Sequence, residues 1–300
     1  MVDLTCSEDR GAMLLAKMQA AAARLKKWQK PLGYVFLAAL IVGVIQSVRY
    51  IGLGWSDIKI APILILIFVM TIASQTYSAI GLQLLTALAD KKISFAKAFK
   101  TAGPAQLAEM LPIPGGAMVR IGLLVNAGVK TGHSSALVIG IAVLRLALAA
   151  ICAGAVLIKI GQDIGWLFLV SGLPLAVAIF VWSVKLAGLQ IAIFNLLHRS
   201  AGIVISAIRL ALAFAVIGVA VSFDHMFIFT FATIAGSAAS IAPSGIGVSE
   251  GVAALMASLV AMGAASALLA VAINRAANLA GTGVLVFLTY GPAIFGNREA

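Results

Sequence analysis

Ser240-Ile241-Ala242-Pro243-Ser244-Gly245-Ile246-Gly247-Val248-Ser249-Glu250 interrupts a chain whose neighbouring sequence is apolar on both sides. Proline removes a backbone donor, and the two glycines and three serines of the stretch favour irregular backbone. The stretch then closes on a carboxylate. In a water-soluble protein it would read as a loop leading into a helix. Between apolar segments it reads as a break at membrane depth, where irregular backbone is tolerated only if protein buries it or water lines it. An ionisable residue beside such a break is a functional-site candidate.

The setting follows from composition. The 300 residues are 62% hydrophobic and only 10% charged, with a mean hydropathy of +1.11. Soluble domains carry about one quarter charged residues, so the expected class is an all-α, polytopic helical membrane protein. The apolar segments are long and continuous rather than short and alternating, which excludes an outer-membrane barrel. The net charge of +11 would point to nucleic acid in a soluble chain. Here the basic residues fall mostly between apolar segments, as the positive-inside rule requires, with some attraction to anionic headgroups. Cys6 and Cys152 are far apart and imply neither a disulfide framework nor a metal cluster. The first apolar run starts only after the basic arm, so no cleavable signal peptide is expected.

Residues 1–30 read as a cytoplasmic interfacial arm and residues 31–300 as one integral membrane domain. About six full spans are expected: Leu32–Val48, Ala61–Leu85, His133–Ile160, Trp166–Val184, Ile203–Phe223 and Ala264–Tyr290. The polar patch from Ser74 to Ser78 in the second span must pack against helices or face a cavity. Lys185–Arg199 has the look of an internal interfacial helix. Arg209 follows near the cytoplasmic start of its span, where snorkelling would explain it. Two further segments are interrupted. Thr101–Val129 breaks at Pro112-Ile113-Pro114-Gly115-Gly116, and the segment beginning at Phe227 breaks at Pro243, Gly245 and Gly247. Each predicts a broken or re-entrant helical hairpin, with both chain termini cytoplasmic.

The two breaks resemble each other. Arg120 precedes Arg145 by 25 positions, and Glu250 precedes Arg275 by the same 25. The first hairpin is bracketed by Lys100 and Lys130, which predicts entry from the cytoplasm, and the second is predicted to enter from outside. Repeat-like units of about 61–160 and 186–290 in inverted orientation follow, and interrupted segments in matching positions of two halves point to a transporter's binding site.

A lone charge at the bilayer centre costs roughly 2.5–3.5 kcal/mol even on insertion scales. Arg120, Arg145, Glu250 and Arg275 therefore need partners, water or headgroups, and Glu109 is a candidate partner for either of the first two. Arginine's planar fork holds carboxylate or phosphate bidentately, and half-helix N-termini near Ala117 and Ser249 would favour anions. Arg120, Arg145, Glu250, Arg275 and Glu109 are thus the candidate substrate-binding residues. For Glu250 a purely structural role, as a first-turn carboxylate paired with Arg275, stands beside the functional one. His133, His198 and His225 are scattered without metal-ligand spacing. No phosphate loop or serine nucleophile elbow occurs, so neither a catalytic residue nor a cofactor is expected.

The motif Leu111-Pro112-Ile113-Pro114-Gly115-Gly116-Ala117-Met118-Val119-Arg120 with Arg145, and Ala242-Pro243-Ser244-Gly245-Ile246-Gly247-Val248-Ser249-Glu250 with Arg275, resemble the lysylphosphatidylglycerol synthase transmembrane-region family of flippase-like integral membrane proteins. The resemblance runs from the first span to the last. That family often has an acidic residue shortly before the arginine corresponding to Arg120, whereas Ala117, Met118 and Val119 stand there in this chain. The resemblance implies a stand-alone form without the soluble aminoacyl-transferase domain, in a bacterial inner membrane. It implies translocation of a phospholipid or lipid-linked substrate rather than an enzyme. A secondary transporter of a small anion and a nonenzymatic membrane partner of a lipid-modifying enzyme are the alternatives.

Overall fold

A computed structural model describes residues 40–109, 115–238 and 247–296. The interfacial arm and the break residues Pro112, Pro114, Pro243 and Gly245 lie outside the described residues; Gly115, Gly116 and Gly247 lie within them. Every regular element described is helical. In order they are α1 (Leu40–Ile51), a short 3-10 turn at Trp55–Asp57, α2 (Ile60–Ala87), α3 (Phe95–Ala108), α4 (Gly115–Asn126), α5 (Thr131–Lys159), α6 (Ile164–Val216), α7 (His225–Ala238), α8 (Val248–Leu259) and α9 (Ala264–Gly296).

Among the described residues, α2, α5, α6 and α9 are long and apolar enough to cross a bilayer. The chain is therefore an all-α polytopic integral membrane protein. At 53 residues, α6 is too long for one crossing, since about 20 residues span the hydrocarbon core. It bends back at Gly188, whose φ of 82° and ψ of 165° suit glycine alone. The first arm, 164–187, runs antiparallel to α5. Gly154 packs on Gly165 and Phe168, Gly172 packs on Ala147, and Trp182 fills the space at Gly140. The second arm, 189–216, runs antiparallel to α2, with His198 beside Gly81, Tyr77 beside Gly202, and Lys59 N–H bonded to the Val216 carbonyl at 3.0 Å.

Two expectations are corrected here. Lys185–Arg199 is not a separate interfacial helix. Its small and polar face packs inward, with Ala192 and Asn195 buried, while Leu189, Phe194 and Leu197 face outward, and the helix runs unbroken from 189 to 216. Because that arm starts so early, Arg209 lies deep in the bundle instead of near an interface. It is 5% exposed and cannot snorkel. Its Nε donates to Asn274 Oδ1 at 3.0 Å, Nη1 to Ser74 Oγ at 3.3 Å and Nη2 to the Asn274 carbonyl at 3.4 Å. A buried guanidinium held by neutral acceptors depends on each of them. Asn274→Ala is expected to lower the stability of the detergent-solubilised protein by about 1.5–3 kcal/mol, the range for bonds to charged groups, and Ser74→Ala by less. An Asn274→Ala protein that melts like the wild type would show that Arg209 is held by something else.

Side-chain contacts define two ends of the bundle. At one, Leu85 and Leu88 of the α2 end cluster with Ala98, Leu124 and Leu137, so α2 finishes, α3 begins, α4 finishes and α5 begins together. Lys91, Lys92, Lys97, Lys100 and Lys130 lie at this basic end. At the other, Val156, Leu157, Val216, Met226 and Val260 pack together, and Lys159 pairs with Asp224 at 2.9 Å. The Ser222 hydroxyl and the Lys159 ammonium hold the Asp224 carboxyl well below the usual carboxylate range.

Close approach shapes the middle of the bundle. A π-type widening of α2 over Ile65–Val69 frees backbone carbonyls. Gly281 of α9 settles against it, so that a Cβ there would lie 2.6 Å from the Ile67 carbonyl oxygen. Within α3, Pro104 has no N–H for the carbonyl of Lys100, four residues earlier. The Tyr290 hydroxyl donates to that carbonyl instead, at 2.8 Å. The helix α3 also starts six residues before the expected Thr101, because the Ser94 hydroxyl accepts from Lys97 N–H at 3.3 Å and caps it. The polar patch of α2 is resolved as packing: Gln75 donates to the Phe99 carbonyl at 2.8 Å, and Ser78 accepts from Gln106 at 3.0 Å.

Candidate functional site

The first interrupted segment carries an ion pair. Glu109 follows α3 and Arg120 lies in the second turn of α4; Arg120 Nη2 donates to Glu109 Oε1 at 2.6 Å. Gly116 makes the pair possible, since a Cβ at that position would stand 2.3 Å from Glu109 Cγ. Both side chains keep partial exposure, 34% for Arg120 and 42% for Glu109. Glu109 thus fills the role left open by Ala117, Met118 and Val119. Arg145, on α5, is not part of this pair. Its Nη2 donates to Ser206 Oγ on the second arm of α6 at 3.4 Å.

The second segment carries a buried pair. Gly247, at φ 79°, starts α8, and its N–H donates to Glu250 Oε2 at 2.9 Å. Glu250 Oε1 faces Arg275 Nε at 3.2 Å. Arg275 Nη2 donates to Ser249 Oγ at 3.0 Å. Gly236 lets α7 close on this turn, since a Cβ there would stand 2.5 Å from Ser249 Cα. Glu250 is 1% exposed and both its oxygens are engaged, the geometry of a carboxylate that holds α8 to α9.

The equal spacing of 25 therefore gives unequal contacts. Glu250 meets Arg275 directly, whereas Arg120 meets Glu109 and leaves Arg145 to other neighbours. Those neighbours are residues the sequence reading passed over. Asn195, His198, Arg199, Gly202 and Ser206 recur at three- and four-residue intervals, so they share one face of the second arm. His198 stacks flat on Tyr77 with ring centroids 4.1 Å apart, and its Nε2 bonds the Tyr77 carbonyl at 2.9 Å. Arg199 Nε donates to Asn195 Oδ1 at 3.3 Å. The Tyr77 hydroxyl lies beside the Arg199 guanidinium without full hydrogen-bond geometry. Arg145 and Arg120 each lie within electrostatic reach of Arg199. The helical interval of Asn195, His198 and Arg199 was visible in sequence, but three polar residues among apolar ones fit an interfacial helix equally well.

A cavity of about 490 Å³ lies between α5, the first arm of α6 and α7. Leu146, Ala150, Leu167, Leu175 and Phe231 line it, with Ser171 its only hydroxyl. It can take a hydrocarbon chain but no charge. Among the described residues no group of three or more His, Cys, Asp and Glu side chains could hold a metal ion.

The fold and these intramembrane pairs define a multi-spanning helical membrane protein with charges concentrated at two interrupted segments. No family model and no curated protein matches the chain.

Proposed function

We propose that the chain translocates an anionic lipid or lipid-linked substrate, as a stand-alone flippase-like unit built from two inverted repeats. The observation that supports the reading is that the short helices flanking the two interruptions start and finish at opposite ends of the bundle, each set with an arginine–glutamate pair. Helices α3 and α4 start and finish at the basic end; α7 and α8 start and finish at the other. A long helix precedes and follows each short pair: α2 and α5 in the first unit, the second arm of α6 and α9 in the second.

Under this reading the Arg120–Glu109 pair, the more exposed of the two, meets the headgroup, and the Glu250–Arg275 pair holds the second unit rigid. The apolar cavity beside α5 takes part of an acyl chain. Membership of the lysylphosphatidylglycerol synthase transmembrane-region family belongs to the same proposal and rests on the motifs around Arg120 and Glu250. So does placement in a bacterial inner membrane with the basic end cytoplasmic, which the lysines of that end support.

A secondary transporter of a small anion is the second reading. The enclosure of polar atoms around Arg145 and Arg199 favours it, since a small solute needs no lateral opening. Vesicles containing the purified protein separate the two. Movement of tail-labelled phospholipid between leaflets, without uptake of radiolabelled phosphate or sulfate, is the result expected; anion uptake without lipid movement would replace the first reading by the second.

A further inference from the structure

We infer that Arg145, Arg199, Asn195, Tyr77 and His198 form a binding site for a terminal phosphate, that is, a phosphomonoester headgroup or free phosphate. The site is separate from the Arg120–Glu109 and Glu250–Arg275 pairs. It sits about 15–20 Å along α2 and α5 from the basic end, at 1.5 Å rise per residue, and so near the middle of a hydrocarbon core about 30 Å thick.

Three observations meet here. Charge is the first. Arg199 bonds Asn195 and Arg145 bonds Ser206 on the same face of the second arm of α6, while Glu109 is held by Arg120 and the other intramembrane glutamate, Glu250, is on Arg275 in the second unit. Two guanidinium charges are left over at depth. An anion bound between them would offset that charge.

Unused donors are the second. Buried polar atoms in native proteins almost always have partners. In this one neighbourhood the Tyr77 hydroxyl, Arg145 Nε and Asn195 Nδ2 have none. They come from three different helices. Such a set of donors, flanked by arginines, matches the several acceptor oxygens of a phosphate.

The third observation selects among phosphates. The Tyr77 carbonyl can only accept, so the bond from His198 Nε2 fixes the ring proton on that nitrogen. His198 Nδ1 is then a bare acceptor, buried and without a partner, in a site otherwise made of donors. A phosphomonoester has a second pKa near 6 and so retains a hydroxyl part of the time around neutral pH. That hydroxyl can donate to Nδ1. A phosphodiester has no such hydrogen and carries one charge instead of nearly two. The site therefore favours a monoester over a diester. This goes beyond the translocation reading and stands without it, because it concerns binding alone.

Binding by the detergent-solubilised full chain tests it, with inorganic phosphate, phosphatidate as a phosphomonoester lipid and phosphatidylglycerol as a phosphodiester lipid as probes. Phosphatidate is expected to bind at least tenfold more tightly than phosphatidylglycerol, and Arg199→Gln and Arg145→Gln each to weaken it at least tenfold. Tyr77→Phe removes one hydroxyl, leaves the His198 stack in place and is expected to weaken binding severalfold, which keeps the test open if an arginine variant fails to fold. Binding of inorganic phosphate as tight as phosphatidate, with the same losses in the variants, would identify free phosphate as the ligand source. Equal binding of the two lipids, no binding of any probe, or affinity unchanged in the variants would overturn the site. Binding without movement of lipid in vesicles would count against translocation and leave the site standing.

Discussion

Glu250→Ala is expected to destabilise the detergent-solubilised protein by about 3–5 kcal/mol, the cost of leaving one partner of a buried ion pair uncompensated. Glu250 is 1% exposed, and water cannot replace the oxygen it offers Arg275 at 3.2 Å. The substitution also strips the acceptor from the Gly247 N–H at the first turn of α8. Both losses act on the contact between α8 and α9. Replacing both charges, as in Glu250→Met with Arg275→Leu, is expected to recover most of the loss, since apolar residues of similar volume substitute well for buried pairs. Thermal unfolding of the three proteins decides it. A Glu250→Ala protein within ~1 kcal/mol of the wild type, the ordinary size of a point-mutant effect, would mean that the pair does not hold the second unit together.

Gly202→Ala is expected to be the most damaging single methyl group near the arginines. A Cβ at 202 would stand 2.1 Å from the Tyr77 hydroxyl and 2.3 Å from the ring carbon that bears it. The ring is also held by its stack on His198, with centroids 4.1 Å apart. Overpacking of this kind costs about 1–3 kcal/mol or more, and the strain is relieved only by breaking the stack or parting α2 from the second arm of α6. In a Tyr77→Ala background the same substitution is expected to cost far less, so the two changes should be strongly non-additive in a double-mutant cycle. Additive losses would place Tyr77 elsewhere.

Class and helix boundaries were largely legible because they depend on hydrophobic length and on local punctuation. The apolar runs of α5 and α9 fall where the residues put them. The arrangement of polar residues was less legible, because it depends on which helices meet. Arg209 looked like a residue near a helix start; the bend at Gly188, a single glycine in an apolar run, placed that start 14 residues before the expected Ile203. Asn195, His198 and Arg199 looked like the wet side of an interfacial helix. In the bundle the same face meets Tyr77 and Arg145, residues more than 50 positions away. The equal spacing from Arg120 to Arg145 and from Glu250 to Arg275 corresponds to a direct contact only in the second unit, where Glu250 meets Arg275. Spacing fixes where a side chain sits on its helix, while the partner is decided by a neighbour such as Glu109 that spacing does not include.

The central claim, translocation through the first unit's charged segment, is tested most directly by following labelled phospholipid between leaflets of vesicles containing the wild type or Arg120→Gln. Both proteins would first be matched for folding and incorporation. The account predicts that inner-leaflet label becomes accessible to an external quencher faster than in protein-free vesicles, and that Arg120→Gln slows this at least tenfold, the loss expected when a charged contact worth about 1.5–3 kcal/mol is removed. Wild-type vesicles indistinguishable from protein-free ones across anionic and zwitterionic lipids, or an Arg120→Gln protein as fast as the wild type, would contradict it.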